Sequence, residues 1–321
     1  MNPTQRNVNL SSVMHRHYQT VLLFIALSAV SLKAQTQTLY ILHTNNTNGA
    51  LENCYCPDNP YGSVEKRVPF VNDFIKEYPN TLLFDSGDFF PVSPRPYLDS
   101  LVCVAYSELH YDAVLLGDQE LSREPDVLNT LLPIINAPFI GTNVTAPSID
   151  GMVKHLRLEK GGLSVLVLGI IDPNVFKYYP DPVRNRMDIS DPVSSVKSAI
   201  SDHRQNGDIV VILSHQGEAK DRELVNLVKG IDVVIGSHSQ SILANSWSSG
   251  GPIVAQAGKE GYYVGVIVLK KDSDGNLSHS GYSRTMSQPM PDSERIMELI
   301  HEYEEKTGHI NRNKQKYMNK Q

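Results

Sequence analysis

Five short polar clusters, each at the end of an apolar run, hold the side chains equipped for chemistry. They are Asn45–Asn46–Thr47–Asn48, Asp85–Ser86–Gly87–Asp88, Gly117–Asp118–Gln119–Glu120, Ser214–His215–Gln216–Gly217 and Gly236–Ser237–His238–Ser239–Gln240. Carboxylates and imidazoles ligate Zn, Mn or Fe and also serve as acids and bases. Singly, each cluster has an ordinary explanation: an Asp at a strand end caps a helix, and a lone His is a satisfied structural residue. A sixth stretch, "NGALENCYCP", places Cys54 and Cys56 one residue apart in a chain with one other cysteine, Cys103. Such a pair has three uses: a small-ring disulfide, joint ligation of a soft metal, or pairing with another protein.

The runs that position these clusters read as strands. They are "TLYILHTN", "NTLLFDSGD", "DAVLLGD", "PFIGTNV", "LSVLVLGIID", "DIVVILSHQ", "DVVIGSHS" and "GPIVAQAG". Strands this uniformly apolar are expected to be buried on both faces. Amphipathic helices lie between several of them. Asp191–Pro192 reads as a cap and first-turn proline, with Val193, Val196 and Ile200 on one face. "DRELVNLVKG" is expected to stop at Gly230, and the stretch from Tyr262 to Arg284 reads as a hairpin turning at Asp274–Gly275. The pattern is α/β, and functional residues in such folds gather at the carboxyl ends of strands. Cys103 sits in a helical pattern and reads as a buried small hydrophobe.

The 321 residues are 40% hydrophobic and 20% charged, with a net charge of -6, which suits one globular domain. The acidity and the lack of a basic stripe argue against nucleic acid as the partner. "MHRHYQT", the apolar "VLLFIALSAVSL" and Ala34 together read as an export signal over residues 1–34, with Met14 as an alternative start. An uncleaved anchor is the rival reading of that segment. The expectation is a periplasmic or extracellular protein, with a domain over 35–309 and a polar tail over 310–321 that frays. That compartment permits one disulfide and leaves one thiol over.

The order of the five clusters resembles the calcineurin-like metallophosphoesterases, specifically the catalytic domain of the 5'-nucleotidase family. There the motifs T-N-D-x-H-G, D-x-G-D, G-N-H-E, S-H-x-G and G-H-S-H follow successive strands. "DSGDFF", "LSHQG" and "DVVIGSHSQ" are the strongest matches, and the likeness covers nearly all of the chain after the signal segment. The resemblance implies a four-layer αββα sandwich and a pair of divalent metals about 3.5–4 Å apart acting on a phosphate ester. It maps the bridging carboxylate to Asp88. The other ligands of one metal map to Asp118, His215 and His238, with Asp118 standing where the family has Asn.

The ligands of the second metal map to Asn46, Asn48 and Gln240, neutral amides in place of Asp, His and His. Gln119 stands in place of the family's transition-state His, and Ser122 in place of that His's Asp partner. Gln119 can donate a hydrogen bond but carries no proton, and loss of a general acid costs about 10²–10⁴ in rate. The resemblance therefore implies a reduced centre with one divalent ion (Zn, Mn or Fe). Full-length 5'-nucleotidases carry a further domain that stacks the nucleobase; this chain is expected to lack it, so nucleotide specificity is not implied.

The stretch around Cys54 and Cys56, with "GDQEL", is similar to a branch of secreted 5'-nucleotidase-like proteins carrying Cys-x-Cys, or selenocysteine in some members. Three readings stay open from the sequence. The first is an exported hydrolase of a small phosphate ester or related anion. The second is a thiol redox or metal protein in which Cys54 or Cys56 replaces the lost ligands. The third is a non-catalytic binding module on the same fold.

Overall fold

Apolar side chains alternate along the strands, and the two halves of the alternation end in different cores. A computed structural model describes residues 36–56, 61–243 and 251–318, so the expected export signal over 1–34 lies outside the described residues. In one sheet β1 (Gln37–Thr44), β2 (Thr81–Asp85), β3 (Ala113–Leu115), β4 (Phe139–Ile140) and β6 (Met152–Val153) run parallel. The hairpin β14 (Tyr263–Lys271)–β15 (Leu277–Thr285) adds to it, antiparallel to β1. In the other, β8 (Leu163–Ile171), β10 (Ile209–His215), β11 (Val233–Gly236) and β13 (Ile253–Ala257) run parallel. Antiparallel β7 (His155–Lys160) and β12 (Ile242–Leu243) flank them. The short β5 (Val144–Thr145) and β9 (Asp188–Ile189) pair with each other.

Leu39, Ile41, Leu82 and Phe84 point inward and meet Val165, Val211, Leu213 and Ile235 of the second sheet. The intervening Leu42, Leu83 and Val114 face outward onto helices α1 (Val64–Glu77), α2 (Pro96–Ser107), α4 (Pro125–Ile135) and α8 (Glu294–Thr307). The outer face of the second sheet, with Leu166, Leu168, Val210 and Ile212, packs on α6 (Pro192–His203) and α7 (Glu218–Leu227). This is the expected four-layer αββα sandwich. Each such side chain taken from water contributes about 1.5–3 kcal/mol, so two sheets buried on both faces make a rigid base for the loops. Shorter helices are α3 (Asp118–Leu121), α5 (Asp181–Arg184) and α9 (Arg312–Met318).

Local expectations fare unevenly. Asp191 caps α6 by accepting from Ser194 N at 2.7 Å, with Pro192 in the first turn, and Val196 is buried with Val193 and Ile200 packed beside it. Cys103 is fully buried with a free thiol. By contrast α7 ends at Leu227, ahead of Gly230, because Val228 turns to extended backbone and is buried. The β14–β15 loop spans 272–276 and is organised by the Asp272 carboxylate, which accepts from Asp274 N and Asn276 N. The tail does not fray where described: α9 forms within it. Lys314 bonds Glu304 at 2.6 Å and Glu52 at 3.4 Å, and Asn313 Nδ2 donates to the Cys54 carbonyl at 3.0 Å. Polar composition hid this helix because its anchors are ion pairs rather than apolar contacts.

β1 also places a polar side chain inward. His43 faces the space between the sheets, is fully buried, and neither ring nitrogen has a hydrogen-bond partner. It pairs with Gly265 in β14, where a Cβ would lie 1.9 Å from His43 Nε2, so only glycine fits. Burial lowers the His43 pKa from 6.5 to about 4. The folded chain therefore refuses a proton that the unfolded chain accepts, and the corresponding stability is full above pH 6.5 and is lost toward pH 4. We expect that loss to total about 3 kcal/mol. Urea unfolding at pH 7 and pH 4.5 should show it in the wild type, and His43→Leu should lack that share of the decline; equal declines would refute it.

Candidate metal centre

The carboxyl ends of β1, β2, β3, β10 and β11 converge, and ties across the two sheets hold them there. Ser86 Oγ donates to the Ile235 carbonyl at 2.7 Å, while His215 Nδ1 lies 3.1 Å from the Ser86 carbonyl and 2.9 Å from Ser237 Oγ. Asn45 reaches β13 by accepting from Ala257 N at 2.7 Å and donating to the Gly258 carbonyl at 2.8 Å. Beneath the first loop, fully buried Arg67 donates to Thr47 Oγ1 at 3.1 and 3.0 Å.

These ties bring Asp88, Asp118, His215 and His238 together, with one ligating atom of each lying within 4.8 Å of the others. His215 Nε2 is 2.8 Å from Asp118 Oδ1 and 3.5 Å from Asp88 Oδ1, and His238 Nδ1 is 3.4 Å from Asp118 Oδ1. Asp88 and His238 sit on left-handed backbone, φ +61 and +69, as do Asn46, Asn48 and Gln240. Non-glycine residues held there cost on the order of 1 kcal/mol each, and such strain gathers at functional sites.

The electrostatics are those of a place built for positive charge. Burial alone would lower the His215 pKa, but Asp88 and the hydrogen bond that His215 makes to Asp118 overcome it and raise it to about 10. Burial raises Asp88 to about 6, with His215 opposing and Asp118 adding to the rise. Asp118 is held low against burial by its bonds to His215 and His238. Two carboxylates and two imidazoles are a fitting donor set for Zn, Mn or Fe.

The amide oxygens of Asn46 and Asn48 are taken by hydrogen bonds within the protein. Asn46 Oδ1 accepts from Asn45 Nδ2, Ser237 Oγ and the His238 backbone N–H, at 2.9, 3.1 and 3.1 Å. The backbone donor fixes which way this amide points. Its NH₂ therefore faces Asp88, donating to Oδ2 at 3.0 Å. Asn46 thus presents a donor to the carboxylate that is expected to bridge. Asn48 Oδ1 accepts from Gln119 Nε2 at 3.0 Å, and Gln240 is exposed. Gln119 is buried, its backbone N–H donating to Asp88 Oδ1 at 3.3 Å, and Ser122 Oγ bonds the Gln119 carbonyl.

Cys54 and Cys56 are bonded to each other as a disulfide. The four-residue group contains neither, and the reading in which their thiolates replace the lost ligands is not favoured. Two thiols one residue apart need only local geometry to pair.

Two functional contacts lack a signal in the sequence. Glu120, named above only as part of its cluster, accepts from Asp88 N at 2.8 Å, Gly117 N at 2.9 Å and Phe90 N at 2.7 Å. It is fully buried, and burial with the adjacent Asp88 pushes its carboxyl up to about 8. Tyr179, on the excursion after β8, donates from its hydroxyl to Asp118 Oδ2 at 2.7 Å. No periodicity links residues 61 apart. Gly117 is needed at the centre itself, since a Cβ there would lie 2.5 Å from Asp88 Oδ1 and 2.7 Å from His215 Cε1.

No protein-family model matches the chain. It is 27% identical over 250 residues to an uncharacterised metallophosphoesterase, YunD, of Bacillus subtilis, covering 74% of this chain and 51% of that protein. It is 27% identical over 293 residues to the 5'-nucleotidase of Rattus norvegicus, covering 79% and 50%. Among solved structures, a 5'-nucleotidase precursor from Thermus thermophilus matches with a TM-score of 0.72 at 25% identity, over 84% of this chain and 58% of that one. The calcineurin-like phosphoesterase YfkN of Bacillus subtilis matches with a TM-score of 0.66 at 20% identity, over 85% and 98%. The chain spans about half the length of the curated relatives it matches. It has the calcineurin-like phosphoesterase fold, and its relatives are metallophosphoesterases and 5'-nucleotidases.

Proposed function

We propose that the chain is an exported phosphoric ester hydrolase that works with one divalent ion held by Asp88, Asp118, His215 and His238. The observation that carries this reading is the convergence of those four side chains, and no others of their types, among the described residues. When bound, the ion supplies Lewis acidity toward a phosphoryl oxygen and lowers the pKa of water at the site.

The remaining work falls to the protein. Asn46 holds Asp88 in place through its NH₂ and through the chain of bonds from its oxygen to Ser237 and the His238 backbone. Gln119, joined to Asn48, would donate its amide to a phosphoryl oxygen without moving a proton. Such a centre forgoes the general acid of the two-metal relatives, so turnover is expected to be slower by about 10²–10⁴ than theirs. Export rests on the apolar segment near the N-terminus, and among the described residues no helix is long and apolar enough to cross a membrane.

Two measurements test the reading. A hydrolysis screen with nucleoside monophosphates and an aryl phosphate, with Mn or Zn added, should show turnover that Asp88→Ala abolishes. No turnover with any ion would refute it. Separately, Tyr179→Phe leaves Asp118 Oδ2 without its donor, and loss of a partner behind a metal ligand typically lowers affinity about 10–100-fold. A chelator-competition titration should find that drop at an unchanged melting temperature; unchanged affinity would show that Tyr179 only packs.

A further inference from the structure

Beside the centre lies a cavity of about 650 Å³, large enough for a small organic ligand. It begins at Asn48, the residue bonded to Gln119 and, through its own N–H, to the Asp88 carbonyl at 2.8 Å. From there it runs along the loop to the Cys54–Cys56 disulfide, which forms part of its wall. Another wall is the end of α8, the segment after it with His309, and Asn313 in the first turn of α9. The α9 contacts to Cys54 and Glu52 are therefore what closes this side.

The lining has a definite chemistry. Leu51, Leu98 and Ile300 are buried apolar residues at its surface. Above them stand acceptors: the carboxylates of Glu52, Glu260 and Glu304, with amides from the loop. Of the cations nearby, Lys314 is already held between Glu52 and Glu304, and Arg95 is exposed at the rim. A second negative charge would meet carboxylates without a buried cation to offset them. An uncharged group with an apolar face and N–H or O–H donors fits all three features.

We infer that this cavity is the subsite for the leaving alcohol, and that it takes an uncharged, ring-sized, donor-bearing alcohol rather than one with further phosphates or carboxylates. The inference rests on the hydrolase reading for the word leaving, but not for the binding itself. A nucleoside and a free sugar share this chemistry, so both are probes. Binding of adenosine and of glucose to the full chain is followed by titration calorimetry, with no catalysis needed.

We expect saturable binding of at least one, with Kd of about 1 mM or tighter. Adenosine alone points to nucleosides as the source, and glucose alone to sugars. Binding should persist within about threefold in Asp118→Asn and weaken at least about 10-fold in Ala50→Trp, which puts a ring into the cavity. His309→Trp, at an exposed wall position, is the second variant should Ala50→Trp fail to fold, and the same roughly 10-fold weakening is expected. Adenosine diphosphate with the metal withheld should bind more weakly than adenosine. No binding of either probe, binding unchanged in a folded cavity variant, or tighter binding of the diphosphate would overturn the inference. Retained binding without hydrolysis would refute the catalytic reading alone.

Discussion

Asp88→Asn is expected to remove the bound metal and with it the hydrolysis of phosphate esters. Asparagine keeps the size of the side chain and its bond from the Gln119 backbone N–H, so the fold should survive. What it removes is one of two negative charges facing His215 and His238, and it sets an amide NH₂ against that of Asn46. Losing a partner behind a metal ligand already costs about 10–100-fold in affinity, so losing a ligand and its charge should cost more than about 100-fold. Chelator competition measures affinity, and circular dichroism with a thermal melt verifies the fold. A folded variant that retains full metal affinity would rule out Asp88 as a ligand.

Glu120→Ala is expected to destabilise the protein more than any substitution on its surface. The carboxyl satisfies three buried backbone N–H groups, and alanine leaves all three without an acceptor. A buried polar group left unpaired costs about 1–3 kcal/mol, and partial rescue by water brings the total to roughly 3–6 kcal/mol. The loop that loses its anchor carries Asp88, so metal affinity should fall with stability. Glu120→Gln keeps the volume and some of the acceptor capacity and should lose roughly half as much. Urea unfolding decides: a loss below about 1 kcal/mol for Glu120→Ala would show that this carboxyl does not hold the loop.

The fold was legible because its strands are apolar on both faces and end in polar residues. Alternation in β1 separates Leu39 and Ile41 from Leu42, and each set reaches the core it should. The candidate ligands were legible for the same reason, since Asp88, Asp118, His215 and His238 each follow or end a strand. What the sequence hid is contact without local pattern. Tyr179 meets Asp118 from an excursion after β8, and α9 docks by Lys314 and Asn313 on a polar stretch that reads as a tail. The Asn46 substitution was visible, but its orientation was not. Only the backbone N–H of His238 shows that the amide turns its oxygen away from Asp88.

That orientation also bears on the cysteines. The loop from Asn46 to Cys56 carries both the amides that the resemblance maps to ligand positions and the disulfide, which invites a chemical link between them. The structure separates the two, placing the amides at the centre and the disulfide in the cavity wall. At the centre Asn46 makes hydrogen bonds, and no sulfur belongs to the four-residue group.

A single metal ion at Asp88, Asp118, His215 and His238 underlies all of these expectations. Elemental analysis of the purified chain, saturated with Zn or Mn and freed of excess, tests it directly. One ion per chain is expected, unchanged by Cys54→Ser with Cys56→Ser and lost in His215→Ala. Two ions per chain, or none, would contradict it.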